Sequence, residues 1–312
     1  MLRKTFLYLS NQQRVFQFVR HNRLARGMAR RFVAGETVDD AVAAVRALNA
    51  RGITASLDLL GESVHNEAEA KATAREYVEL LDRIDRERLD ANVSVKLTAL
   101  GLDVSDELCL ASIHEVLRRA REHGNFVRLD MEGSAYTDRT LDLFEQHLYP
   151  VYPENVGIVL QSMLRRTLTD VELAVRLHAR VRLCKGAYRE PPEIAFPDKA
   201  DVDESYVRAM RRLMTEGHYP GLATHDERII EAAQQFARAE GIAPDRFEFQ
   251  MLYGVRRDLQ ERLVRDGWRL RVYVPYGTQW YPYLMRRLAE RPANLWFLTG
   301  SVLRETTARR RK

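Results

Sequence analysis

The string YLMRRLAE at 283–290 sets Tyr283, Arg286, Arg287 and Glu290 three or four positions apart. Residues so spaced share one side of a helix, and the adjacent pair Arg286 and Arg287 diverges by about a third of a turn. One guanidinium can then grip a small carboxylate while the other pairs with Glu290 or a cofactor group. Arginine suits the task because its planar fork meets a carboxylate with two parallel N–H bonds, which lysine does not. An exposed, salt-bridged helix face is the plain alternative. The string follows the last apolar, β-rich run of the chain, LRVYV at 270–274, and this puts it at the end of the fold where a site would gather.

A second set of candidates closes the apolar runs. Lys96 ends NVSVKL, Asp130 with Glu132 ends FVRLDM, Gln161 ends VGIVLQ, and Lys185 follows RVRLC. Asp58 and Glu62 go with ITASLDL, Thr224 and His225 with GLAT, Gln250 with FEFQML, and Tyr273 with LRVYV. Polar groups in such places are costly to desolvate unless they are paired or bind something. One would be unremarkable; one at every run describes a lined pocket. Each also has a plain reading. Lys96 can reach solvent or pair with Asp130, Asp130 can cap the next segment, His225 can serve its own loop, and Gln161 and Gln250 can tie loops down. Arg182 lies inside its run and must find a partner, for which an anion or an electron-rich cofactor is a better answer than open water. In CKGAY at 184–188, Gly186 and Ala187 let backbone amides come close to a phosphate or a flavin ring. The chain has neither a Walker A string nor a GxGxxG after a strand, so a dinucleotide fold is unsupported, and Thr224 or His225 is left to meet a phosphate.

The elements that must hold these residues follow a rhythm. The predicted strands are ITASLDL (53–59), NVSVKL (92–97), FVRLDM (126–131), VGIVLQ (156–161), RVRLC (180–184), GLAT (221–224), FEFQML (247–252) and LRVYV (270–274). Segments such as EAEAKATAREYVELLDRI, ELCLASIHEVLRRARE, TDVELAVRLHA and DERIIEAAQQFARA lie between them and carry helix formers with an apolar stripe. Strand and helix in alternation imply parallel strands with crossover helices. Eight units without a long linker favour a closed (βα)8 barrel over the competing open, doubly wound sheet, and the carboxyl ends of barrel strands are where chemistry sits. Before the first strand, Thr37 is placed to cap DDAVAAVRALNAR, whose Val42, Val45 and Leu48 fall on one face, with Gly52 closing it. Phe16, Val19 and Leu24 suggest an earlier amphipathic segment covering one end of the core. The expected division is a helical arm over 1–52 and a barrel over 53–312.

The bulk numbers agree with one globular catalytic unit. Of 312 residues, 46% are apolar and 30% charged, and no apolar run is long enough to span a bilayer. Met1-Leu2-Arg3-Lys4 begins like a secretory signal, but Asn11, Gln12, Gln13 and Arg14 interrupt any apolar stretch, so a cytoplasmic location is expected. Cys109 and Cys184 are the only cysteines; two buried thiols suit a reducing compartment, and no thiol metal site can be built from them. Lys and Arg total 49 against 44 acids, a net charge of +5 that is mild and well interleaved. The basic cluster Arg309-Arg310-Arg311-Lys312 reads as a solvated tail.

In its motifs the chain resembles the bacterial monofunctional proline dehydrogenases, flavoenzymes similar to the proline dehydrogenase domain of bifunctional proline-utilisation proteins. The resemblance is carried by LDLLGE (57–62), SVKLTALG (94–101), RLDMEG (128–133), VGIVLQ (156–161) and VRLCKGAY (181–188). It continues through LATHD (222–226), FEFQMLYG (247–254), RVYVPYGT (271–278) and YLMRRLAE (283–290), in the family's order. It implies oxidation of L-proline to Δ1-pyrroline-5-carboxylate by hydride transfer to FAD, the first step of proline catabolism, with the electrons passed to a quinone. It also implies a distorted barrel, FAD at the carboxyl end of its strands, and a last helix over the mouth. Asp130, Arg182 and Lys96 would be catalytic. Arg182 would meet the flavin at its reactive nitrogen, Lys185, Gly186 and Ala187 would line the ring or ribityl chain, and Met131, Gln161 and Gln250 would stand nearby. Thr224 and His225 would reach the pyrophosphate or adenosine half. Lys96, Arg286 and Arg287 would bind the proline carboxylate, Tyr273 would pack on the proline ring, and Asp130 would tie Lys96 and the flavin into one network. Glu62 would pair with Arg286 as a gate. Departures fall at Arg189, where many relatives are aromatic, at Tyr253, a histidine in bifunctional members, and in the short YGTQWYPYL.

Two other classes compete on the residues alone. A (βα)8 aldolase would use Lys96 as a Schiff-base nucleophile. A non-catalytic binder of anions or nucleic acid would need a continuous basic stripe with interleaved aromatics, and the basic residues are instead scattered among acids. No nucleic-acid partner is expected. A quinone acceptor brings the expectation of peripheral membrane contact through the N-terminal segment or Arg309–Lys312.

Overall fold

In a computed structural model of the chain, residues 30–61 and 63–290 are described, with 286–290 described by backbone alone. The expected segment around Phe16, Val19 and Leu24, the gate residue Glu62 and the basic tail lie outside the described residues.

The first helix, α1 (Val38–Asn49), begins as its sequence predicts. Thr37 caps it, accepting from the Asp40 amide while the Asp40 carboxylate returns a bond to the Thr37 N–H. Gly52 closes the turn at φ +72°, a left-handed conformation that glycine adopts without strain. Ala41, Val45 and Leu48 of α1 belong to the main core.

Strands and helices then alternate. They are β1 (Thr54–Leu59), α2 (Glu67–Arg86), β2 (Ala91–Val95), α3 (Asp106–Glu122), β3 (Val127–Leu129), α4 (Ser134–Leu143), β4 (Val156–Gln161) and α5 (Thr167–Arg176). The order continues with β5 (Arg180–Cys184), α6 (Lys199–Glu216), β6 (His218–Ala223), α7 (Glu227–Ala239), β7 (Glu248–Leu252), α8 (Arg257–Arg265), β8 (Leu270–Tyr276) and α9 (Trp280–Glu290). Each strand pairs in parallel with the next, and β8 pairs with β1, so the eight-stranded sheet closes. A short 3-10 turn (Leu97–Leu100) follows β2 and ends at Gly101.

Several elements differ from expectation, and for strand β6 and helix α6 the reasons are visible. Strand β6 starts at His218, ahead of GLAT, because Pro220 and the left-handed Tyr219 (φ +44°) hide its beginning, and the pairing with β5 is irregular there. Helix α6 had no counterpart in the reading of the sequence. It follows a Pro-containing loop, residues 185–198, that is held to Met163 and Arg165 by main-chain bonds from Met163 to Lys185, Phe196 to Met163 and Arg165 to Ile194.

Barrel interiors are ordinarily packed with branched apolar side chains. This one is polar. Because strand side chains alternate, Val181, Leu183, Phe249 and Val272 join the apolar core while their neighbours turn inward. Those neighbours bond to other strands from inside the lumen. Arg182 on β5 donates to Ser56 on β1 at 3.2 Å, Tyr273 on β8 donates to Asp130 beyond β3 at 2.8 Å, and Arg271 on β8 donates to the Ala55 carbonyl at 2.7 Å. Arg128 lies lower in the lumen, over the Phe126 ring, and donates to the carbonyls of Ile158 at 3.1 Å and Arg180 at 2.5 Å. Burial, then the charge of Arg182, pushes its pKa well below the ordinary arginine value.

Room for Arg128 comes from Gly157. A Cβ there would stand 2.4 Å from the Arg180 carbonyl oxygen and 2.7 Å from Nη1 of Arg128. Gly157→Ala is therefore expected to destabilise the fold by about 1–3 kcal/mol through overpacking, read as a lower urea midpoint at unchanged slope.

Candidate active site

A cavity of about 480 Å³ opens where the carboxyl ends of the strands converge, a size suited to a small-molecule or cofactor site. Of the residues proposed from sequence, Lys96, Asp130, Met131, Gln161, Arg182, Lys185, Gly186, Ala187, Thr224, His225, Gln250 and Tyr273 line it, whereas Asp58, Glu132 and Tyr283 are buried behind it. Arg286 and Arg287 lie in the backbone of α9, and their side chains, like Glu62, are outside the described set. The preceding turns of α9 pack through Trp280, Tyr281, Leu284 and Met285 on Phe32, Val33 and Leu60, the residue just past β1. Trp280 Nε1 also donates to Glu36 at 2.9 Å, fixing the start of that helix.

Arg182 is the hub. Its Nη1 donates to Asp130 Oδ1 at 2.6 Å, its Nε to Gln250 Oε1 at 2.5 Å and its Nη2 to Ser56 Oγ at 3.2 Å. The guanidinium also lies over the Tyr273 ring, 5.1 Å from its centroid. Those bonds use three of the five N–H groups of arginine, and the residue lines the cavity. Asp130 is shared, since Tyr273 donates its hydroxyl to the other carboxylate oxygen. Burial and then the charge of Asp130 push the Tyr273 phenol well above its usual pKa, so it stays a donor.

Lys96 has a different partner from the one expected. Its Nζ lies 3.3 Å from Oδ1 of Asp58 on β1, whereas the hydrogen bonds of Asp130 among the described residues go to Arg182 and Tyr273. The expected Lys96–Asp130 tie is thus two parallel pairs, Lys96 with Asp58 and Arg182 with Asp130. Burial raises the Asp58 pKa above the usual carboxylate range against the pull of Lys96, and the neighbouring Asp130 charge pushes the same way. The sequence places Asp58 at its strand end but assigns it no role. Its spacing of two from Ser56, on the same strand face, was the available signal.

The loop after β5 forms one wall. Gly186 has φ +99°, and a Cβ there would lie 2.5 Å from Met163 Sδ, so only glycine fits. Val159, Met251 and Leu252 supply apolar surface opposite the charged groups. Gln161 donates to the Glu132 carbonyl at 2.9 Å, and the Glu132 side chain accepts from Thr98 at 2.6 Å, which pins the turn after β2 beneath Lys96. His225 Nε2 accepts from the Leu252 amide at 2.9 Å, so that nitrogen carries no proton. Thr224 Oγ1 accepts from the Asp226 amide at 3.1 Å at the start of α7.

A crossed set of ion pairs guards the rim. Lys185 contacts Asp203 at 2.5 Å and Asp226 at 2.8 Å, and Lys199 contacts both carboxylates as well. Lys199, Asp203 and Asp226 had not been singled out, because their charges are surface-like in type and reveal themselves only through this closure. Among the described residues no cluster of His, Cys, Asp and Glu is arranged for a metal, and no helix is long and apolar enough to cross a membrane. Burial acts to raise the Asp226 pKa, but the bond and charge of Lys185, with Lys199, outweigh it and hold it below the ordinary 3.8. Stability from this set is therefore complete above the unfolded value and is lost as pH falls through the lower folded one. The gap in urea midpoint between the wild type and Asp226→Asn should be full at about pH 7 and should close at about pH 3 and below.

The model of the family described as proline dehydrogenase matches residues 41–299. A Deinococcus radiodurans protein named proline dehydrogenase is 41% identical over 307 residues, covering 97% of this chain and 98% of its own. Proline dehydrogenase 1 of Bacillus subtilis strain 168 is 39% identical over 305 residues, covering 98% and 100%. Among solved structures, proline utilization A from Bdellovibrio bacteriovorus, inactivated by N-propargylglycine, superposes with a TM-score of 0.81 at 29% identity over 89% of this chain. The chain spans only 34% of that longer protein. By sequence over nearly its whole length, and by a closed barrel with its cavity at the strand ends, the chain belongs to the proline dehydrogenase family.

Proposed function

We propose that this chain oxidises L-proline to Δ1-pyrroline-5-carboxylate as a flavoenzyme. The observation that carries the reading is the paired arrangement at the cavity floor, Lys96 with Asp58 and Arg182 with Asp130, beside the half-buried ring of Tyr273. Support also comes from the names of the relatives that match nearly end to end.

The reaction removes a proton from the ring nitrogen and a hydride from the adjacent ring carbon. No side chain accepts a hydride, and FAD supplies that acceptor when bound. The cavity suits it: Gly186 and Ala187 bring bare backbone to one wall, Met131 and Gln161 stand close by, and Arg182 lines it too. Thr224 and His225, at the start of α7, suit the diphosphate half, since helix N-termini favour anions.

Lys96 would hold the proline carboxylate together with Arg286 and Arg287, and Tyr273 would pack on the proline ring. Asp58 keeps the Lys96 amine in place, and Asp130 fixes Arg182 and Tyr273 relative to each other. Fixing reactants in this way lowers the barrier by removing the entropy of alignment. The cations around the substrate also disfavour its ammonium form and so help provide the neutral amine from which hydride leaves. Val159, Met251 and Leu252 line the cavity and would keep water from the reacting carbon. Electrons would go on to a quinone, with peripheral membrane contact through segments outside the described residues.

The aldolase reading is weaker. A Schiff-base lysine is activated by desolvation or by a neighbouring cation, whereas Lys96 is ion-paired to Asp58 at 3.3 Å.

Anaerobic titration with L-proline tests the proposal. The purified chain should be yellow, and its flavin absorbance should bleach with added proline. A colourless protein that borohydride traps on Lys96 with a carbonyl substrate would move the assignment to the aldolase class.

A further inference from the structure

Gln250 does not reach Arg182 from a neighbouring strand. It sits on β7, Arg182 on β5, and the amide crosses the strand between them, β6, at Gly221. Gly221 pairs with Arg182 on one side and with Glu248 on the other. A Cβ at Gly221 would lie 2.3 Å from Gln250 Nε2 and 2.7 Å from its amide carbon. The backbone of Gly221 is not in the left-handed region, so clearance alone calls for glycine here.

The amide that crosses is also oriented. Gln250 Nε2 donates to Glu248 Oε1 at 2.6 Å, which turns its oxygen toward Arg182 Nε. Glu248 is held in turn by Arg271 Nε at 2.7 Å and by the Tyr219 hydroxyl at 3.2 Å. Burial works against its charge, but Arg271 and Gln250 keep it ionised and its pKa below the ordinary carboxylate range. An ionised carboxylate can only accept, so the amide cannot flip without facing its oxygen to negative charge.

We propose that Gly221 and Glu248 are positioning residues for Arg182: Gly221 gives the Gln250 amide its passage, and Glu248 fixes which end of that amide the guanidinium meets. Neither needs to touch a ligand. Their effect on the reaction rests on the flavoenzyme reading, but their effect on Arg182 does not.

The test is a pair of double-mutant cycles on the full chain, read by hydrogen exchange at the Arg182 Nε–H in ¹⁵N-arginine-labelled protein and, separately, by the rate of flavin bleaching at saturating proline. Gly221→Ala and Glu248→Gln should each speed that exchange by roughly fivefold to tenfold, the worth of one hydrogen bond. Each should slow bleaching while changing the half-saturating proline concentration far less. Combined with Gln250→Ala, neither should add anything, since the group through which they act is gone. If Gly221→Ala alone does not fold but Gly221→Ala with Gln250→Ala does, the same steric coupling is shown. Additive effects, unchanged exchange in the single variants, or a pair that fails as badly as Gly221→Ala alone would overturn the assignment. A wild type that shows the slow exchange and its coupling but never bleaches would sink only the functional reading.

Discussion

Taking an ionised side chain out of water without a partner costs several kcal/mol. The mouth of this barrel holds two such cations and two such anions in close company: Lys96, Arg182, Asp58 and Asp130. The pairing of Arg182 with Asp130 at 2.6 Å is the constraint from which the rest follows. It fixes the height of the cavity floor, it brings Tyr273 in through the second carboxylate oxygen, and it commits the lumen below to a polar filling. Once one arginine is buried there, its remaining donors must be met, and Ser56 and Gln250 meet two of them.

The same logic runs down the lumen. Gln250 needs Glu248, Glu248 needs Arg271, and Arg271 closes on the Ala55 carbonyl. These bonds link β5 to β7, β8 and β1 and hold Arg182 still. Glycines make the filling possible. Gly157 leaves space for Arg128 and Gly221 for Gln250, each at an inward position where a barrel would usually carry a branched side chain. A fully connected polar network rigidifies a core, while a half-connected one is worse than an apolar core. The unbonded Arg128 Nε and Ser94 Oγ are exceptions in this lumen, and no partner among the described residues accounts for either.

Much of this was legible in the residues. The eight runs of β-rich sequence stand out because both faces of the strands are covered, and polar ends of such runs are too costly to occur idly. Partner choice was not legible, for reasons of distance along the chain. Arg182 meets Asp130, Gln250 and Ser56 across separations of 52, 68 and 126 residues, which only closure of the sheet brings together. Lys96 therefore read as the mate of Asp130 when its structural partner is Asp58. Glu248 stands two positions from Gln250 in FEFQML, on the same strand face, but the apolar residues alternating with it dominate that run. The start of β6 was lost behind Pro220, a residue that argues against a strand interior.

On the proposed function, the Arg182–Asp130 charges serve the reaction, and the fold does not require them as a charged pair. Replacing a buried ion pair by apolar residues of similar shape often leaves a protein as stable or more so, while removing one partner costs about 3–5 kcal/mol. The most direct measurement compares Arg182→Met, Asp130→Leu and the two combined, by urea unfolding and by bleaching with L-proline. Each single variant is expected to lose stability, the combined variant to regain most of it, and none of the three to bleach. A combined variant that remains as unstable as the singles, or that still bleaches with proline, would contradict this expectation.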